Sequence, residues 1–242
     1  MMSPAERGFQ ALGLRPFGFQ SRVWEAMADG RSGLLNAGTG MGKTYAIWGG
    51  LLNRLALDQP HDHVGSVAHG RPIPDRPHGL DGLGGLQGLQ GLRILWITPM
   101  RALALDTLQA LQRFADAAYP GLRVAMRTGD TPTAERARQD RSAPHTLVTT
   151  PESLSLLLSK PQGLTMLGQV MAVVVDEWHE LLGNKRGVQL QLCLSALTAS
   201  GAFAGQRPPP LIWGLSATVG NLPEAAQALC HSLHAVGAMA EP

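Results

Sequence analysis

The sequence predicts an α/β fold: a mostly parallel sheet covered by helices on both faces. Three observations carry that prediction. Short apolar runs alternate with segments of helical spacing along the 242 residues, the order in which a parallel sheet and its crossovers are laid down. Runs such as "VMAVVVD" (170–176) are apolar at nearly every position, as strands buried on both faces are. A glycine-rich stretch, "NAGTGMG" (36–42), lies between an apolar run and a helix-like segment.

Taken in order, Leu34 and Leu35 form a short first strand, and "KTYAIWGGLLNRLAL" (43–57) carries apolar residues at helical spacing. "RILWIT" (93–98) reads as a strand and Ala102 to Ala118 as a helix. "LRVAMR" (122–127) and "HTLVTT" (145–150) read as strands, with a short helix over 152–160. After the 170–176 strand come a helix over 187–200, the strand "LIWGLS" (211–216) and a last helix over 223–235. One segment breaks the rhythm. Residues 58–92 hold four histidines (His61, His63, His69, His78), four prolines and the near-repeat "GLGGLQGLQGL". Helix and strand formers are diluted there, which predicts a flexible surface insertion, a solvated linker rather than a metal site, away from any cleft.

The length suits one large domain. At 44% hydrophobic and 16% charged residues the composition is globular rather than disordered. The formal net charge of +2 says nothing about nucleic acid. All but three of the 20 basic residues are arginine, which suits planar partners such as phosphate, although a GC-rich genome gives the same bias. Cys193 and Cys230 lie in helix-like segments without metal-ligand spacing, so core thiols in a reducing compartment are expected. The N-terminal residues show no leader pattern and no apolar stretch is long enough to span a bilayer, so a soluble cytoplasmic protein is expected.

Residues Ala37, Gly38, Thr39, Gly40, Met41, Gly42, Lys43 and Thr44 read as a phosphate cradle. Strand, glycine-rich turn and helix start let successive N–H groups point at phosphate oxygens, with the positive helix end behind them. Lys43 is expected to reach the β- and γ-phosphates of a nucleotide and Thr44 to ligate Mg²⁺. The general pattern is GxxxxGKS or GxxxxGKT; Ala37 stands at its first glycine. "VVVDEWHE" puts Asp176 and Glu177 at the tip of a buried strand. In an open parallel sheet, ligands sit outside the carboxyl ends of the strands, so this pair and Lys43 are expected at one rim. Asp176 is assigned to Mg²⁺ and Glu177 to the attacking water as general base. His179 is placed to sense the γ-phosphate and relay to "LSAT" (215–218).

These residues resemble a known family. "AGTGMGKT", "DEWH" and "SAT", in that order, are similar to motifs I, II and III of the superfamily 2 DExH (DEAD/DEAH box) helicases. "PFGFQ" (16–20) resembles the adenine-reading Q motif, with Gln20 as the purine contact. "TPMRAL" (98–103) resembles motif Ia, "TTPESL" (149–154) motif Ib, and "RTGDT" (127–131) lies between them. "DEWHELLGNKRGVQLQL" and "WGLSATVGNL" are most similar to the large helicase-related (Lhr) group, in particular its bacterial, ligase-associated branch. The resemblance covers nearly the whole chain except 58–92. It implies a RecA-like P-loop NTPase domain, a three-layer sandwich spanning 1–242. It also implies an ATP-driven 3′-to-5′ translocase on single-stranded DNA, which unwinds duplexes and RNA:DNA hybrids. A role in DNA repair, with ligase-associated proteins as partners, follows from the same likeness. Ser216, Ala217 and Thr218 would couple the two sites.

The strand track is expected at Thr98, Pro99, Arg101, Arg127, Thr128, Gly129, Thr150 and Pro151. Threonine caps a helix well and proline suits its first turn, so each Thr-Pro is expected to open a helix whose N–H groups face a phosphate. Helicases of this family have two RecA-like domains, the second bringing arginines worth roughly 10³–10⁵ in rate in related systems. Only the first is legible here, so a second RecA-like domain is expected to act in cis or in trans, and little activity is expected of the chain alone. A non-motor nucleic-acid-binding module that keeps the ATP fold remains an alternative. A small-molecule P-loop kinase is a third reading, in which the Ia, Ib and DEWH elements have no role.

Overall fold

The computed structural model describes residues 2–58, 89–199, 210–217 and 220–230. Its elements run α1 (Pro4–Ala11), α2 (Gly18–Ala28), β1 (Gly33–Asn36), α3 (Lys43–Leu57), β2 (Ile94–Ile97), α4 (Arg101–Ala118), β3 (Val124–Arg127) and α5 (Thr133–Arg141). They continue with β4 (Thr146–Thr149), α6 (Pro151–Leu158), α7 (Pro161–Leu167), β5 (Ala172–Val175), a 3₁₀ turn (Trp178–Glu180), α8 (Lys185–Ala199), β6 (Leu211–Ser216) and α9 (Leu222–Cys230). The six strands form one sheet in the order β1-β6-β5-β2-β4-β3. Every pairing is parallel, as the apolar-throughout strands predict.

The sheet divides the core into two layers by the alternation of its side chains. Trp96, Val174 and Trp213 face one way and pack with Phe9 of α1, Val23 of α2, Ile47 of α3 and Leu111 of α4. Their neighbours Leu95, Val173 and Ile212 face the other way, onto Leu154 of α6, Leu167 of α7, Leu190 of α8 and Leu229 of α9. The result is the expected three-layer sandwich. Burying each large apolar side chain contributes roughly 1.5–3 kcal/mol. With most strands only four residues long, burial on both faces outweighs the few ladder hydrogen bonds.

All five tryptophans find an acceptor. Trp24 Nε1 donates to Ala46 O (2.9 Å), Trp48 to Leu111 O (3.0 Å), Trp178 to Ala225 O (2.9 Å) and Trp213 to Arg31 O (3.0 Å). Only Trp96 donates to a side chain, Oδ2 of Asp176 (3.3 Å). The "GG" inside α3 serves contact with α2: a Cβ on Gly50 would lie 2.5 Å from Met27 Sδ.

Helix α3 runs from the carboxyl rim of the sheet to the opposite rim, where β2 begins. Asp58 there pairs with Arg93, and Leu89 and Leu92 enter the core. The expected insertion therefore shrinks at both ends. Its four histidines lie outside the described residues, as do the continuation of the last helix past 230 and the side chain of Cys230. Cys193 is in the core, and burial pushes its thiol up to about 11. Helices α1, α2, α5 and α7 have no counterpart in the sequence reading. Helix α5, with a single buried residue, Gln139, lacks the apolar stripe such readings depend on.

His145 joins two strands. Its Nδ1 accepts the Arg123 N–H (3.0 Å), which requires the neutral ring. Burial lowers its pKa from 6.5, helped by the Arg123 charge and opposed by a backbone hydrogen bond at Leu89. A lowered folded pKa means that the unfolded chain binds the proton more readily. The stabilisation is therefore complete above pH 6.5 and lost as pH falls through the lowered value. Denaturant titrations should show stability falling with acidification below pH 6.5, and His145→Asn should flatten that dependence.

A Cβ on Gly187 would lie 1.9 Å from the backbone oxygen of Leu181. Gly187→Ala should therefore destabilise by about 1–3 kcal/mol through overpacking, although alanine is the better helix former. Thermal unfolding measures it.

Candidate active site

Strand β1 delivers the chain to the carboxyl rim, where Ala37 N–H donates to Ser216 O at the end of β6 (3.2 Å). The loop that follows turns on two left-handed residues, Gly40 (φ 79°) and Gly42 (φ 81°), positions that glycine alone takes without strain. Gly42 is the N-cap of α3 and offers no side-chain cap, so the first-turn N–H groups of Lys43 and Thr44 stay open to a ligand. Lys43 is buried, and its Nζ donates to Ala37 O (2.7 Å) and Gly38 O (3.1 Å). Its ammonium is thus held inside the turn. Thr44 is half-buried at the helix start, while Gly38, Thr39, Gly40 and Met41 are exposed.

Gln20 braces this loop from α2. Its Oε1 accepts the Phe17 N–H (2.8 Å) and its Nε2 donates to Gly42 O (3.0 Å). It is 1% exposed, so a purine reaches it only if one of these bonds yields. Phe17 was not foreseen. It is 56% exposed and stacks on Phe19 at 6.0 Å, an open aromatic face beside the loop.

Strand β5 ends two strands away, with β6 between. Asp176 N–H continues the ladder to Ile97 O (2.8 Å). Its carboxylate is enclosed: Oδ1 accepts the Glu177 N–H (3.0 Å) and Oδ2 the Trp96 Nε1–H. Burial raises its pKa to about 6; the Trp96 hydrogen bond opposes this, the Glu177 charge adds to it, and the Lys43 charge opposes it. Because β1, β6 and β5 pair in parallel, the ammonium and the acidic pair lie on one rim.

Glu177 is the only non-glycine residue at positive φ among the described residues (φ 45°, ψ 50°). Such a conformation costs on the order of 1–3 kcal/mol and persists where the surroundings impose it. Glu177 Oε2 is buried without a hydrogen-bond partner, 3.4 Å from His179 Nδ1. His179 Nδ1 also shares a hydrogen bond with Ser216 Oγ (3.0 Å). Ser216 is fully buried and Ala217 partly so; Thr218 lies outside the described residues. The cradle, the acidic pair and the serine thus meet at the tips of β1, β5 and β6.

The residues fit a magnesium nucleotide. An orphaned carboxylate oxygen and a desolvated carboxylate share the rim with an open helix start, oxygen donors of the kind a hard cation shared with phosphates takes. Among the described residues no cluster of three His, Cys, Asp or Glu side chains could hold a metal ion.

The expected strand track is only partly assembled. Thr98 N–H donates to Thr149 O (2.9 Å), which sets the two Thr-Pro pairs side by side on β2 and β4. Thr150 is the N-cap of α6 with Pro151 in its first turn. Thr98 and Pro99 do not open α4, contrary to expectation: the N-cap is Met100, and Thr98 Oγ1 donates back to Met100 O (3.2 Å). Both threonines are buried, leaving backbone rather than hydroxyls to meet a strand.

Arg127 is a second correction. It is 5% exposed and its Nη1 is 2.5 Å from Asp140 Oδ1. A buried guanidinium needs a partner, and this one braces α5 against β3. Arg101 does sit outside, on Asp130 (2.8 Å) and against Gly129. Thr128 is buried and holds the turn, its N–H donating to Thr131 Oγ1 (2.9 Å).

The sequence matches the DEAD/DEAH box helicase family over residues 17–225. It is 35% identical over 230 residues to the Lhr helicase/uracil glycosylase of Escherichia coli (strain K12), covering 90% of this chain and 13% of that protein. An ATP-dependent helicase Lhr-Core of Methanothermobacter thermautotrophicus is 43% identical over 112 residues, 43% of this chain and 13% of that one. The solved Mycobacterium smegmatis helicase Lhr, bound to ssDNA and AMP-PNP, superposes with a TM-score of 0.78 at 28% identity. That alignment covers all of this chain and 28% of the other. The DUF1998 helicase MrfA shares the fold, with a TM-score of 0.76 at 19% identity, covering all of this chain and 29% of that one. Matched over 17–225, the chain belongs to the DEAD/DEAH box helicase family, as a first, RecA-like helicase domain similar to that of the Lhr helicases.

Proposed function

We propose that this chain is the ATP-binding motor domain of an ATP-dependent 3′-to-5′ translocase acting on single-stranded DNA or RNA:DNA hybrids. We place it in the cytoplasm, in DNA repair, with ligase-associated proteins among its partners. The observation that supports this most is the shared rim of Lys43, Asp176, Glu177 and Ser216. The N–H groups around Gly40 and Gly42 bind the phosphate chain, and the ammonium of Lys43 exchanges its loop carbonyls for phosphate oxygens. Phe17 offers a stacking face to the base, beside Gln20. A magnesium ion held by Thr44 and Asp176 would neutralise charge on the β- and γ-phosphates. Glu177 orients a water and accepts its proton at Oε2, which has no hydrogen-bond partner and lies beside His179. His179 reports the state of that carboxylate to Ser216 through their hydrogen bond. The strand lies over the rim beyond β2 and β4, on the uncapped first-turn N–H groups of α4 and α6 that follow Thr98–Pro99 and Thr150–Pro151, with Arg101 and Gly129 at its edge. Fast hydrolysis needs arginines from a second RecA-like domain, in cis or in trans. The solved relative bound to ssDNA and AMP-PNP supports both ligands.

Calorimetry should show magnesium-dependent ATP binding that Lys43→Ala abolishes. Loss of nucleotide binding in the unaltered protein would favour the non-motor module instead. Glu177→Gln should leave ATP binding intact while lowering hydrolysis about 10²–10⁴-fold, the worth of a general base.

Because the strand contacts fall on phosphates, affinity for single-stranded oligonucleotides should be blind to sequence. It should fall log-linearly with salt, with a slope of about 0.7 per phosphate neutralised. Fluorescence anisotropy over a salt series measures that slope.

A further inference from the structure

The structure carries a second connection between the acidic pair and the strand face, apart from His179 and Ser216. It starts just beyond Glu177. The 3₁₀ turn Trp178–Glu180 is anchored by Trp178, 1% exposed, and followed by the fully buried Leu181. Glu180 O accepts from Asn184 Nδ2 (2.6 Å), and Asn184 Oδ1 accepts the N–H groups of Arg186 (2.9 Å) and Gly187 (3.1 Å). Gly187 packs directly on Leu181 O. The backbone of Arg186 is therefore fixed relative to the acidic pair. Its side chain grips Glu152 with a fork: Nε to Oε1 at 2.5 Å and Nη2 to Oε2 at 3.2 Å. Glu152 lies in the first turn of α6, beside Thr150 and Pro151.

The pair is exposed, 37% at Arg186 and 48% at Glu152, and exposed pairs contribute little to stability. The packing of α6 on α8 rests instead on their buried leucines. What the fork adds is geometry. A planar guanidinium on both carboxylate oxygens fixes direction as well as distance.

Resting on the reading of α6 as a strand contact, we propose that Arg186 is a positioning residue. Through Glu152 it holds the Thr150–Pro151 helix start in register with the segment that carries Asp176 and Glu177, so that nucleotide at one site biases strand binding at the other.

The test is the affinity of the protein for fluorescent single-stranded oligo(dT), with and without magnesium AMP-PNP, read by anisotropy. The unaltered protein should bind oligo(dT) with a nucleotide-dependent change in Kd. Arg186→Gln should cut that change by about fivefold or more, at the lower end of typical coupling between sites, while leaving the melting temperature nearly constant. Arg186→Lys, which keeps the charge without the fork, should fall between. The double variant Arg186→Glu/Glu152→Arg should recover the change, which a merely structural role would not produce. An unaltered nucleotide effect in Arg186→Gln overturns the inference and leaves the strand-contact reading standing. Absence of oligo(dT) binding in the unaltered protein overturns that reading, and this inference with it.

Discussion

The parallel pairing of β6 between β1 and β5 is the constraint on which the rest depends. Register fixes Asn36 opposite Ser216 and Val175 opposite Gly214. Both neighbouring strands therefore release their chains at the same rim, one into the glycine-rich loop and the other into the acidic pair. Neither group could find the other by local structure, since more than 130 residues separate them. What brings them together is the burial of apolar strands on two faces, which leaves a single direction and a narrow choice of order for the sheet.

The rim stores cost as well as order. Asp176 is held away from water and Glu177 sits in a left-handed conformation. The surrounding core, with five hydrogen-bonded tryptophans, absorbs both. Trp96 shows the exchange within one side chain: its ring packs in the core while its N–H supports the carboxylate that burial disfavours. Burying a carboxylate costs stability, a cost that a cation beside it would relieve by favouring the ionised form. That is the sense in which this site reads as functional rather than decorative.

The sheet was largely legible in the sequence because its strands are apolar throughout, and β6 matches its expected span residue for residue. Helix α3 does the same, since glycines mark its start and apolar spacing its length. Helices α1 and α2 were missed: α1 is only eight residues long, and the eleven residues of α2 begin within the Phe-Gly-Phe-Gln stretch, which reads as a binding motif. At the site, Lys43, Asp176, Glu177, His179 and Ser216 were named from spacing and the rim brings them together. Spacing does not report partners, so Arg127 on Asp140 and the inward-turned Thr98 were misread. Phe17, Trp96 and the Glu152–Arg186 fork gave no signal, because their roles depend on neighbours distant in sequence.

A crystal structure of the chain with magnesium and AMP-PNP tests the central claim most directly. The account expects the terminal phosphate between Lys43 Nζ and the carboxylates of Asp176 and Glu177, with the loop from Ala37 to Gly42 wrapped around the phosphate chain. A nucleotide seated elsewhere, or a phosphate that touches Lys43 while both carboxylates point away from it, would contradict it.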